Sequence, residues 1–163
     1  MNRIKTFVLA LFMAVLGTGY TQEISQWGDP VMGAKLSICL SNTVIATGSN
    51  VVLHCIIHNN STNAVIYQLA DTRLMFSVYL VSQSGKRIIL NDRDKYGGDH
   101  IKSGRVSIGE SRDYFLPLDL EKKIEPGSYK MIATQKIWIF KIPNRHDIQR
   151  GELVSNELTV ELK

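Results

Sequence analysis

Apolar and polar side chains alternate through residues 127–140. Tyr129, Met131 and Ala133 fall on one side, and Lys130 and Thr134 on the other. A period of two is the mark of a half-buried strand. Pro126-Gly127 stands just before it, a pair suited to a tight turn because Pro fixes φ and Gly accepts φ > 0. The same period recurs at Leu36, Ile38 and Leu40 within 35–41, and at Val51, Leu53, Cys55 and Ile57 within 51–58. A short run covers 64–69. Residues 74–82 form the most β-prone stretch, joined through Ser82-Gln83-Ser84-Gly85 to 86–90, which predicts a hairpin. Runs at 112–118 and 153–162 bring the predicted strands to eight. Past the N-terminal segment the only helical signal is one turn over Asp119–Ile124, and 91–111 and 142–152 read as long polar loops.

Short strands between turn clusters (Thr47-Gly48-Ser49-Asn50 and Asn59–Asn63) predict an all-β fold, an antiparallel sandwich of about seven or eight strands. Tyr129, at the mouth of its strand, suits the tyrosine corner by which immunoglobulin-like sandwiches fix the turn into strand F.

The N-terminus reads as an export signal. Arg3 and Lys5 precede an apolar run from Phe7 to Leu16, and Gly17–Thr21 supplies small residues for cleavage after Thr21. The apolar run is short for a membrane span. The expectation is therefore a signal peptide over 1–21, a lead-in over 22–34, one Ig-like domain over 35–163, and a secreted or periplasmic location without a membrane span after cleavage. Loss of Arg3 and Lys5, with no acid lost, lowers the formal net charge from +4 to +2. No basic stripe interleaved with aromatics points to nucleic acid.

Cys39 and Cys55 are the only cysteines. An even count in an exported chain favours pairing. Periodicity opposes it, since Cys39 falls on the outer face of its strand and Cys55 on the inner face of the next. The reading leans to two free thiols.

The pattern of Leu36-Ser37-Ile38, Gly48, Val51-Val52-Leu53, Asn59-Asn60, Asp119-Leu120, Pro126-Gly127-Ser128-Tyr129 and Ser155-Asn156-Glu157-Leu158-Thr159-Val160 resembles the Ig-like domains of the intracellular proteinase inhibitor (BsuPI) type, and the Ig-like modules beside deuterolysin-type metallopeptidases. The resemblance covers about 35–162 and rests on scaffold positions. It implies the sandwich, and it suggests a peptidase inhibitor or accessory domain as an alternative function. No inhibitory residues carry over, and the export signal departs from an intracellular inhibitor.

Residue chemistry points away from catalysis. His54 and His58 lie roughly 13 Å apart if both are on one strand, too far to share an ion. Asp92-Arg93-Asp94-Lys95-Tyr96-Gly97 begins like a calcium loop, but Ser103 stands where a bidentate Glu is required. No nucleophile elbow, phosphate loop or Cys-x-x-Cys is present, and Arg145-His146-Asp147 has no partner Ser. The expectation is a non-enzymatic module with no cofactor and no metal site. Asn59-Asn60-Ser61-Thr62 holds two overlapping N-x-Ser/Thr acceptors, which matter only in a eukaryotic secretory pathway.

One surface stands out. Trp138, Phe140 and Ile142 alternate onto the side of strand F opposite Tyr129, ahead of a loop carrying Arg145, His146 and Arg150. Exposed aromatics beside arginines are what binding hot spots favour. The predicted partner-binding residues are Trp138, Phe140, Arg145, His146 and Arg150, and the predicted partner is a protein or a surface polymer. A bulge after Thr134, or the lead-in with Trp27, would instead cover the aromatics.

Overall fold

A computed structural model describes residues 26–69, 75–92, 103–120, 123–142 and 148–163. Its strands are β1 Ala34–Cys39, β2 Val44–Ile45, β3 Asn50–Asn59, β4 Ala64–Leu69, β5 Phe76–Ser82, β6 Arg87–Asn91, β7 Ser103–Val106, β8 Ser111–Asp119, β9 Gly127–Lys141, β10 Ile148–Val154 and β11 Leu158–Leu162. They form two sheets. β1, β3 and β8 make the smaller, in that order, and β9 is the axis of the larger. A fold with this pairing is an Ig-like sandwich. Every pair is antiparallel except β2 with β11, which run parallel. Among the described residues no helix is long and apolar enough to cross a membrane.

β9 is long because nothing interrupts its alternation. From Tyr129 to Ile139 every odd-numbered residue is buried, and no Gly or Pro intervenes before Pro143. Its neighbours are broken. On one edge, β11 pairs its first part and β10 its second; on the other, β5 pairs the first part and β4 the second. Over 153–162, where one strand was expected, β10 ends and β11 follows. Between Val154, opposite Thr134, and Leu158, opposite Met131, one extra residue enters, as in a bulge. Ser155 fills the gap: its N–H donates to the Ala133 carbonyl at 2.9 Å, and its Oγ accepts the Ala133 N–H at 3.0 Å.

The core lies between the sheets. Leu36, Leu53, Ile57 and Leu116 come from the smaller sheet, and Phe76, Leu80, Met131 and Ile137 from the larger. Burying each such side chain contributes about 1.5–3 kcal/mol. Tyr129 is buried, and its hydroxyl donates to the Glu125 carbonyl at 2.7 Å, which is the predicted corner.

Two loop expectations and one helical turn need correction. The polar stretch 91–111 contains β7, and the stretch 142–152 contains most of β10. In both, pairing with a neighbouring strand overrides the polar composition. Arg150 therefore sits on a strand and not on a loop. The helical turn expected over Asp119–Ile124 gives way at its start, where Asp119 closes β8, and its middle lies outside the described residues. The export segment 1–21, Arg93–Gly97, His100, Arg145 and His146 also lie outside them.

Candidate functional site

β9 sends its even-numbered side chains to the outer face of the larger sheet. Trp138 and Phe140 are there, half-buried, and both alternatives that would hide them fail. The pairing of β9 with β10 runs unbroken from Thr134 to Phe140, so no bulge switches faces. The Trp27 ring lies 5.8 Å from that of His58 in β3, on the other sheet.

Register places four side chains in a row across four strands. Arg150 of β10 is opposite Trp138, Trp138 is opposite Tyr67 of β4, and Tyr67 is opposite Arg105 of β7. At the usual spacing of neighbouring strands the row is about 14 Å long. Both arginines are exposed and both rings are half-buried. Phe140 meets Tyr67 edge-on, with ring centroids 4.7 Å apart at 68°. Beyond Phe140 the face continues to Ile148, which is 51% exposed and opposite Phe140 in β10. Cross-strand aromatic pairs of this kind stiffen a sheet face.

Beside the row is a hollow of about 300 Å³, lined in part by Ser77, Tyr79, Arg87, Ile89, Thr134 and Glu152. The Arg87 guanidinium sits 4.0 Å from the centroid of the Tyr79 ring, within cation–π range. The larger sheet thus presents aromatic rings, an apolar rim and several arginines on one face.

The structure brings together three of the five predicted site residues: Trp138, Phe140 and Arg150. Tyr67 and Arg105 were missed, since their place depends on register between strands distant in sequence. The turn after β3 lies beside the end of β9, where the Ile142 N–H donates to the Asn63 carbonyl at 2.7 Å. In that turn Asn59 is wholly buried. Its Nδ2 donates to the carbonyls of Ala64 and Val106, and its Oδ1 accepts from the backbone N–H and the Oγ of Ser61. Of the two overlapping acceptors only Asn60 is exposed.

His54 and His58 have separate partners. The His58 ring meets Ser111 Oγ at 2.9 Å, and the His54 ring meets Asp113 at 2.8 Å. Among the described residues no group of three or more His, Cys, Asp or Glu is arranged to hold a metal. Cys39 and Cys55 are both free, on opposite faces of the smaller sheet.

No family model and no curated protein matches the chain. Among solved structures it is similar to the alkylpurine DNA glycosylase AlkC of Pseudomonas fluorescens, bound to DNA containing an abasic-site analogue. That match has 11% identity, covers 80% of this chain and 30% of the other, and has a TM-score of 0.42. It is similar to the sporulation control protein Spo0M of Bacillus subtilis at 14% identity, over 82% of this chain and 50% of that one, with a TM-score of 0.42. It is also similar to a PapD-like domain of human CEP192 at 15% identity, over 83% and 88% of the two chains, with a TM-score of 0.37. Likenesses of this size say nothing about activity.

Proposed function

We propose that the chain is an exported, non-enzymatic Ig-like interaction module that captures a protein partner on the outer face of its larger sheet. Export rests on the sequence of residues 1–21. The observation that carries the binding face is the Arg150–Trp138–Tyr67–Arg105 row, in which two half-buried rings lie between two exposed guanidinium groups. Trp, Tyr and Arg supply most of the energy at protein interfaces, because rigid rings bury area at little entropic cost and guanidinium forks bind carboxylates in pairs. The matching partner surface is acidic and carries aromatic side chains.

A soluble glutamate–tyrosine copolymer is a suitable probe. The native protein should bind it, and binding should weaken as salt screens the charges. Trp138→Ala with Arg150→Ala should weaken binding by about tenfold or more, with the fold retained. A lysine–tyrosine copolymer should not bind. Equal binding by the double variant would remove the face from consideration. A peptidase panel addresses the inhibitor alternative: inhibition that survives in the double variant would favour it.

A further inference from the structure

On the outer side of the smaller sheet, groups from the two flanking strands converge on one imidazole of the central strand. Cys39 ends β1 directly opposite His54 of β3, and its Sγ lies 3.4 Å from His54 Nδ1. From β8, Asp113 Oδ1 lies 2.8 Å from Nε2 of the same ring. Phe115, opposite His54 in β8, stacks on the ring with centroids 4.6 Å apart and planes 8° from parallel. Both nitrogens and one face of the imidazole are therefore fixed. An ionised carboxylate only accepts, so Nε2 carries the proton and Nδ1 is left as an acceptor facing the thiol. A nucleophile beside a base, with the base oriented by a third group, is the arrangement that activates a thiol.

We propose that Cys39 is a base-assisted exchange site for disulfides, separate from the binding face on the larger sheet. His54 Nδ1 takes the Sγ proton, and the thiolate attacks one sulfur of the incoming disulfide. The old S–S bond breaks, a mixed disulfide forms on Cys39, and the leaving thiolate takes the proton back from His54. The incoming disulfide is the oxidant, so electrons balance. Asp113 is a positioning residue that holds the ring and offsets the charge it gains. Displacement at sulfur needs no oxyanion hole, which favours a disulfide over an acyl donor. Phe115, at 61% exposed, and Val52, at 55%, give an apolar approach on the same face.

The thiol does not ionise readily unaided. Burial, and then the charge of Asp113, raise its pKa above the ordinary value, and His54 Nδ1, 3.4 Å away, is the base placed to take the proton. Among the described residues, few groups surround the ring. β1 contributes Cys39 and β8 contributes Asp113; along β3 the next outward residue is the buried Ile56, with His58 beyond it. Cys55 is wholly buried and serves as an internal control.

The test is intact-mass kinetics of the native protein with oxidised glutathione, and in a second arm with a short cystine-bridged peptide. One adduct should form, on Cys39, and Cys39→Ser should form none. His54→Gln should slow the reaction by about tenfold or more with the fold unchanged, and Asp113→Asn by less. In His54→Gln the rate should climb about tenfold per pH unit from pH 7 to 9, because only spontaneously ionised thiol remains. The native slope should be shallower, a difference that a purely structural role for His54 would not produce. Reaction with glutathione points to small disulfides, and reaction with the peptide alone to a disulfide carried by a partner. An unchanged rate in His54→Gln, an adduct on Cys55 in the folded protein, or no adduct in either arm would overturn the proposal.

Discussion

The hydroxyl of Tyr129 donates to the carbonyl of Glu125 across the Pro126-Gly127 turn, at 2.7 Å. It ties the start of β9 to the chain just before the turn. Tyr129→Phe keeps the buried ring and loses one hydrogen bond, at a cost of about 1 kcal/mol. Tyr129→Ala also leaves a cavity and should cost about 3 kcal/mol or more. Chemical denaturation measures both. An unchanged midpoint for Tyr129→Ala would contradict the corner.

Asn59 holds the turn between β3 and β4 through its two donated and two accepted hydrogen bonds. Asn59→Ala should cost on the order of 3 kcal/mol, because it removes all four hydrogen bonds at a buried position. Asn59→Asp adds a pH signature. A buried carboxylate facing the Ala64 and Val106 carbonyls has a folded pKa above its unfolded one. Its stability is then fully present below the unfolded value and lost as pH rises through the folded value. Thermal melts of this variant should fall between acidic and neutral pH more steeply than those of the native chain.

Glu110 gives the opposite sign. Its carboxylate accepts the Ser107 N–H at 2.8 Å in the turn between β7 and β8, and hydrogen bonding there lowers its pKa. A lowered folded pKa adds stability above the unfolded value, and that stability is lost as pH falls through the folded one. Glu110→Gln should therefore melt below the native protein at neutral pH, and the gap should close in acid. A gap that widens in acid would contradict the assignment.

What the sequence makes legible is what depends on neighbouring residues. Alternation located β1, β3, β8 and β9, and it put Cys39 outside and Cys55 inside, because side-chain direction follows from a period of two. It also put Trp138 and Phe140 on the outer side of β9. β7 and β10 were not legible, since polar residues take strand geometry when a neighbour supplies the ladder. Tyr67 and Arg105 join the row only through register between distant segments. Asp113 reaches His54 across 59 residues, a pairing that no local spacing announces.

The most direct test of the binding face uses the chain's own fluorescence. The protein has two tryptophans, Trp27 and Trp138. Trp27→Phe leaves Trp138 as the sole reporter, within the row and between the two arginines. On titration with the glutamate–tyrosine copolymer, Trp138 emission should shift to shorter wavelength and become less accessible to acrylamide, in step with binding. Binding that leaves the emission and quenching of Trp138 unchanged would show that the partner docks elsewhere.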